Sequence, residues 1–428
     1  MRTSDSLADL REGKAEGITH LALAEGLESF PEEIMDHADT LEVLDLSGNR
    51  LKRLPDSFSR LRRLKVAFFS KNDFETFPEV LGACPDLEMV GFKSNRIRHL
   101  AGDALPERLR WLILTDNRLE NLPEELGDRT RLQKLMLAGN RLRRLPDELA
   151  SCENLELLRL AANSLGSLPD WLWAMPRLSW LAISGNPCCC APSALDTPRI
   201  HWTELILDRM LGEGASGVIS QAHWGARPVA VKIFKGDVTS DGLPGHERAA
   251  CLAAGAHQNI IPVHGALEGH PTGKDGIVLG LVDERFKNLG LPPTLESCTR
   301  DVFPPEMRLS PASAAGIAGG IASAMGHLHR KGIVHGDLYA HNILVDGAGN
   351  ALLGDFGAAS FLGDLSASQA DGFRRIDSRA FGCLLDDLVG LAGNEDGSLD
   401  GLAGIRHRCM VGVPSERPLF GDILRELT

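Results

Sequence analysis

The sequence predicts two unlike folds in one chain: a solenoid of short strands in the N-terminal half, then a non-repetitive domain of strands and helices. Three observations predict this. Leucines recur at a fixed spacing over about residues 18–187, the spacing stops after Asn186, and a glycine-rich loop between two extended segments opens the C-terminal half. At 428 residues the chain is also too long for one core and fits two domains of roughly 200 residues each.

The repeat unit is LxxLxLxxNxLxxLP. Its clearest copies begin at Leu41, Leu64, Leu87, Leu109, Leu132, Leu155 and Leu178, at intervals of 22 or 23 residues. Asn49, Asn72, Asn95, Asn117, Asn140, Asn163 and Asn186 keep the same step, and an irregular copy near Ile18, with Gly26 in the asparagine position, precedes them as a cap. Seven consecutive copies resemble the leucine-rich-repeat family. The resemblance implies an α/β solenoid of about eight repeats in a domain spanning residues 1–187.

Each unit supplies one short strand whose leucines, such as Leu44 and Leu46, are buried only by stacking on neighbouring units. The asparagines are expected to satisfy backbone groups at the turn after the strand and not to bind ligand. Side chains alternate along a strand, so the residues between the leucines face the concave surface. These include Val43, Val66, Phe68, Met89, Trp111, Ile113, Met136, Leu157 and Trp180. Such an apolar surface predicts a docking site for a protein substrate or regulator, with coverage by the chain's own second half as the rival.

The Pro-, Cys- and Ala-rich stretch from Pro187 to Pro198 reads as a linker, assigned to residues 188–202. From Leu205 an apolar strand runs into Leu211-Gly212-Glu213-Gly214-Ala215-Ser216-Gly217-Val218, and Val229-Ala230-Val231-Lys232 follows on the next extended segment. A dinucleotide fold would place a helix after such a loop. Downstream stand His335-Gly336-Asp337-Leu338-Tyr339-Ala340-His341-Asn342 and then Asp355-Phe356-Gly357.

These ordered motifs resemble the eukaryotic-type protein kinases over about residues 203–428. Cys409, Pro414, Arg417, Pro418 and Phe420 bring the chain nearest the tyrosine-kinase-like branch. The resemblance implies an α+β bilobal domain that binds ATP and Mg2+. It assigns Gly212, Gly214 and Gly217 to the phosphates, Lys232 to the α and β phosphates with Glu247 as its partner, Asp337 to the acceptor hydroxyl, and Asn342 and Asp355 to magnesium. Leu211, Ile219, Ala230 and Leu344 would flank the adenine, with Leu279 as gatekeeper and Leu281 and Val282 in the hinge.

The chain departs from the family at three places. Gly336 replaces the usual arginine, so no cation is expected beside Asp337 and activation by loop phosphorylation is not expected. Tyr339 replaces a basic residue, for which His341 is the candidate substitute. Only 22 residues separate Asp355 from Asp377 in the following helix, and no APE motif is present, which leaves Arg417 without its family partner. The expected activity is an ATP-dependent protein kinase, serine/threonine in type. The alternatives are a nucleotide-binding pseudokinase scaffold and a small-molecule phosphotransferase, whose HGDL-then-Asn pattern is similar.

A net charge of −13 argues against nucleic acid or an acidic membrane as partner. Ser310 to Gly326 is uncharged but too rich in Ala, Gly and Ser for a membrane span. Residues 1–17 contain no apolar stretch of the secretory kind. Nine cysteines without metal-ligand spacing, including the run Cys188-Cys189-Cys190, predict reduced thiols and a cytoplasmic protein.

Overall fold

A computed structural model describes residues 3–12, 17–192, 197–214, 216–236, 238–395 and 397–427. It divides into two compact units: Met1–Leu158 with Asn163–Trp171, and Arg159–Ala162 with Leu172–Thr428. The division falls inside the repeat array, whereas the sequence pattern alone places it after residue 187. The cause is local, because Arg159 and the last repeat bond to groups from the non-repetitive half.

In the first unit, the three-residue strands His20–Ala22, Val43–Asp45, Val66–Phe68, Met89–Gly91, Trp111–Ile113 and Lys134–Met136 pair in parallel and in chain order. Leu44, Leu46, Leu112, Leu114, Leu135 and Leu137 are fully buried between them. Each such burial contributes about 1.5–3 kcal/mol, available only when a neighbouring repeat covers the side chain. The return segments are single 3-10 turns, as at Asp56–Arg60, Glu124–Asp128 and Asp147–Ser151, each entered from the proline that closes the repeat motif.

The asparagines close the strand-to-return bends. Asn140 Nδ2 donates to the carbonyls of Leu114 (2.8 Å) and Leu137 (2.9 Å), and its Oδ1 accepts from Leu119 N (3.0 Å), tying its repeat to the preceding one. A short α-helix, Leu7–Arg11, precedes the first repeat and is capped by Ser6.

The concave stripe is less available than the sequence suggests. Val66 and Met89 are only 5% and 3% exposed, a correction to their expected role as partner contacts, while Phe68, Trp111, Ile113 and Met136 are half-buried. In-register parallel strands stack side chains of one face on each other. Phe68 packs edge-on to Trp111, Trp111 Nε1 donates to Met136 Sδ (3.4 Å), and the Lys134 ammonium lies 4.1 Å from the centre of the Trp111 ring.

The second unit opens with a six-stranded sheet in the order Arg199–His201, Val263–Glu268, Gly276–Gly280, Arg227–Phe234, Gly217–Trp224, Leu205–Glu213. Its first strand lies within the stretch expected to be linker. Ile200 is the reason: it is 1% exposed and packs with Ala222, Val229, Val231, Leu267 and Val278, so residues 199–201 belong to the domain core. Residues 193–196 of that stretch lie outside the described residues.

One helix, Pro244–Ala254, follows the central strands; Pro311–Arg330, Ala367–Ala392, Asp400–Cys409 and Phe420–Leu427 form the helical part. Ser310 caps the second of these, its Oγ accepting from Ser313 N at 3.0 Å, with Pro311 at the first helical position. The uncharged stretch 310–326 is therefore a core helix. Among the described residues no helix is long and apolar enough to cross a membrane.

Asp377, fully buried on Ala367–Ala392, accepts from the backbone N–H groups of His335 (2.9 Å) and Gly336 (3.0 Å) and contacts His329 Nε2 (2.9 Å). A helix side chain thus fixes the loop that leads into Asp337.

The last repeat belongs to this unit. Leu160 N and Ala162 N donate to the carbonyls of Ala182 and Ser184, each at 2.8 Å, and Asn186 Nδ2 donates to the carbonyls of Leu160 and Ile183. Ile183 N donates to Ser360 Oγ (3.3 Å), and Cys190 N to Asp364 Oδ2 (2.8 Å). Cys189 Sγ lies 3.3 Å from the Phe361 carbonyl, and burial pushes its pKa up to about 12, which marks an inert packing thiol. None of the nine cysteines is joined in a disulfide among the described residues.

Candidate active site

The glycine loop joins two antiparallel strands, Leu205–Glu213 and Gly217–Trp224, and is closed by Gly214 N donating to Gly217 O at 2.9 Å. Ala215 lies outside the described residues. Only Gly217 is demanded by protein packing, since a Cβ there would stand 2.6 Å from Ile233 O. Gly212 and Gly214 have open space around them, so their small size leaves room for whatever the loop covers.

Lys232 lies on Arg227–Phe234, opposite Ile219 on one neighbouring strand and Ile277 on the other. Its ammonium forms an ion pair with Glu247 on the helix Pro244–Ala254, and the two residues are 9% and 3% exposed. Burial works against the Lys232 charge, but the carboxylates of Glu247 and Asp355 outweigh it and hold the pKa above the ordinary lysine value.

Two cavities lie along the strand that carries Lys232. The first, about 280 Å³, is lined by Leu211, Ile219, Ala230, Leu279, Leu281 and Leu344, so every residue expected at the adenine meets in one apolar slot, with Val282 beside them. The second, about 150 Å³, is lined by Gly214, Gly217, Lys232, Asp241 and Asp355, and Ile219 borders both. An apolar slot that leads to a polar chamber holding one lysine and two carboxylates has the form of a site for a nucleotide and its cation. A larger polar cavity of about 750 Å³, bordered by Arg199, Arg248 and Asp275, contains none of the expected residues.

Asp337, Asn342 and Asp355 are brought together by backbone pairing. Asn342 Nδ2 donates to Asp337 Oδ2 (2.9 Å) and to the Asp337 carbonyl (3.0 Å). Ile343 pairs with Leu353, and Gly354 N donates to Asn342 O (3.0 Å), which sets Asn342 beside the segment carrying Asp355. Asp355 has φ +49° and accepts from Gly357 N at 3.1 Å. A carboxylate and an amide oxygen fit a hard cation that takes its remaining ligands from water and phosphate.

His341 Nδ1 lies 2.7 Å from Asp301 Oδ1, and its backbone N donates to Asp301 Oδ2 at 2.9 Å. Burial opposes the imidazolium, but the Asp301 bond prevails and raises the His341 pKa. Its charge also acts on Asp337, favouring the carboxylate form. Arg417 is fully buried and meets the Val411 and Pro176 carbonyls; burial lowers its pKa to about 9.

Arg159 is the residue of this site that the motifs did not reveal. Its guanidinium, 2% exposed, forms an ion pair with Asp337 through Nη2, lies 2.9 Å from Asp241 Oδ1 through Nε, and donates from Nη1 to Gly336 O at 2.9 Å. A cation therefore does stand beside Asp337, contrary to the expectation from Gly336, and it comes from a repeat strand. Burial would raise the Asp337 pKa, but Arg159 holds it below the usual carboxylate value; Asp241, for which burial prevails, is raised.

Trp180 also needs correction as a partner contact. It is 1% exposed, its ring stacks on Tyr339 with centroids 4.3 Å apart and planes 9° from parallel, and its Nε1 donates to Leu338 O at 3.0 Å. One signal in the sequence points to Arg159: it is the only arginine among the concave positions of the repeat strands, and it accompanies a missing arginine at position 336.

Comparison with known proteins agrees with this architecture. A family model described as protein tyrosine and serine/threonine kinase matches residues 205–379, and leucine rich repeat models match residues 40–61 and 130–187. The chain is 33% identical over 120 residues to the human PH domain leucine-rich repeat-containing protein phosphatase 1, covering 27% of this chain and 7% of that protein. It is 30% identical over 164 residues to the probable serine/threonine-protein kinase gdt4 of Dictyostelium discoideum, covering 37% and 9%. It is 28% identical over 166 residues to the serine/threonine-protein kinase PkaB of Streptomyces coelicolor, covering 36% of each. These matches span well under two thirds of the relatives' lengths. Together with the repeat strands and the Lys232 cleft, they establish the chain as leucine-rich repeats joined to a domain of the protein tyrosine and serine/threonine kinase family.

Proposed function

We propose that this chain transfers the γ-phosphoryl group of ATP to a serine or threonine hydroxyl of a protein. The observation that carries the reading is the buried Lys232–Glu247 pair at the floor of a cleft whose apolar end is bordered by Ile219, Ala230 and Leu344. A buried ion pair beside a glycine loop contributes little to stability by itself. It is well suited to hold a cation against phosphate oxygens.

In the reaction, Asp337 orients the acceptor hydroxyl and receives its proton as the acceptor oxygen bonds to the γ-phosphorus. The bond from that phosphorus to the β,γ-bridging oxygen breaks, and its electron pair leaves with ADP. Lys232 balances the charge on the α and β phosphates. Asn342 and Asp355 would hold magnesium, which supplies charge neutralisation at the phosphates when bound.

The serine/threonine assignment follows the names of gdt4 and PkaB. Phe68, Trp111, Ile113 and Met136 remain partly accessible for a protein substrate or regulator. Nine cysteines in the thiol form fit a reducing, cytoplasmic setting.

The test is transfer of labelled phosphate from ATP by wild type and Asp337→Asn, offered protein acceptors and, separately, choline-like and aminoglycoside acceptors. Labelled protein is expected, with about a thousandfold loss in the variant. Label on small acceptors alone, or Mg-ATP binding with no transfer to any acceptor, would overturn the proposal.

A further inference from the structure

Deepening the kinase reading, and resting on it, we propose that Arg159 is a built-in plug of the phosphoryl-acceptor site. While its guanidinium spans Asp337, Asp241 and the Gly336 carbonyl, nucleotide enters freely but a protein hydroxyl reaches Asp337 only in the minor fraction of molecules whose Arg159 pairs have opened, so wild-type transfer is slow and not absent.

Both oxygens of the Asp337 carboxylate already have a partner, so an acceptor hydroxyl meets an occupied base. Arg159 occupies Oδ1, and Asn342 Nδ2 donates to Oδ2 at 2.9 Å. A base that takes a hydroxyl proton must lie within hydrogen-bond reach of it, about 2.6–3.2 Å. Arg159 donates hydrogen bonds to two acceptors, Asp337 Oδ1 and the Gly336 carbonyl, and forms an ion pair with Asp241, a use of the planar fork that a lysine could not reproduce.

The surroundings are shaped to the plug. Trp180 covers Tyr339, whose hydroxyl is buried without a hydrogen-bond partner among the described residues. Gly336 has φ +71°, and a Cβ there would stand 2.5 Å from Leu181 O and 2.8 Å from Ala358 O. The missing arginine at position 336 and the arginine at position 159 are thus complementary: the first leaves room for the last repeat strand, and the second fills the charge that the first vacates.

The nucleotide cavities are untouched by this arrangement, since Arg159 lines neither of them. Asp241 is the wall between, paired with Arg159 and bordering the chamber of Lys232 and Asp355. The chain therefore holds a nucleotide-ready, acceptor-closed state, and opening the Arg159 ion pairs is the step that a regulator would have to drive.

The test uses the full chain as wild type, Arg159→Ala, Arg159→Lys and the double variant Arg159→Ala with Asp337→Asn. Three quantities are read: label transferred from Mg-ATP to casein, Mg-ATP affinity by calorimetry, and hydrogen exchange of residues 336–342 by mass spectrometry. Arg159→Ala should raise transfer and exchange by about tenfold or more and leave affinity within about threefold, and the double variant should transfer nothing. Arg159→Lys should lie between, and it keeps the proposal testable if the alanine variant does not fold.

Transfer equal to or below wild type in a folded variant would overturn the plug while leaving the kinase reading in place. Faster exchange with Mg-ATP bound but no transfer from any variant would support the closure and overturn the kinase reading. Unchanged exchange without transfer would overturn both.

Discussion

The nucleotide side of Asp337 and its acceptor side are built in different ways. The nucleotide side draws on glycines, Lys232, Glu247 and Asp355 from one domain and encloses open space of about 280 and 150 Å³. The acceptor side is filled, by Arg159 and Trp180 from repeat strands that lie 177 and 158 residues before Gly336 and Leu338. A cavity and a packed ion pair respond to substitution differently. Changes on the open side should alter ligand affinity with little effect on stability, and changes on the filled side should alter stability first.

The largest effect expected from this contrast is at Trp180. Trp180→Ala should lower unfolding free energy by about 3–5 kcal/mol, read as a shift in denaturant midpoint, because it removes a fully buried ring and its bond to Leu338 O. Trp111, at the same position of its repeat but half-buried, should lose about half as much on replacement by alanine. Equal losses would break the comparison.

Next comes Gly336→Ala, which meets both a left-handed backbone angle and the Leu181 and Ala358 carbonyls. A destabilisation of about 2–4 kcal/mol is expected from strain and overlap together, with the melting temperature as the readout.

On the open side, Ala230→Leu should push side-chain volume into the apolar slot. Mg-ATP affinity should fall about tenfold by calorimetry while the unfolding free energy stays within about 0.5 kcal/mol of wild type. A large stability loss with unchanged affinity would place the slot outside the nucleotide site.

The smallest effect concerns His341 and Asp301. The raised His341 pKa means that its contribution to folding is fully present below the ordinary value of 6.5 and is lost as pH rises through the folded value. Asp301→Asn should therefore destabilise the chain by about 1 kcal/mol more at pH 6 than at pH 9, measured by denaturant unfolding at the two values. An equal loss at both would show that the pair is not an imidazolium bond.

The contrast also marks what the sequence could convey. The repeat half was legible because its signal is one-dimensional: Leu44 and Leu46 are buried by residues one unit away, so a spacing of 22 or 23 suffices. The Lys232–Glu247 pair was legible because 15 residues place a helix carboxylate against a strand lysine. Trp111 and Trp180 occupy the same position in their repeats, yet their exposures differ because groups distant in sequence cover the second. Periodicity assigns a face and says nothing of what that face meets.

Ile200 was hidden for a related reason. A three-residue edge strand inside a Pro- and Cys-rich stretch has too short a pattern to show, and only its packing on Val229 and Val278 reveals it. Gly336 was visible as an absence, but the group that compensates for it lies elsewhere in the chain.

If nucleotide and plug coexist, a crystal structure of the full chain with magnesium and a non-hydrolysable ATP analogue will show both at once. The purine will lie between Ile219, Ala230 and Leu344, the phosphates against Lys232, and Arg159 will still be paired with Asp337. A purine bound elsewhere, or Arg159 displaced from Asp337 by the analogue alone, would contradict that coexistence.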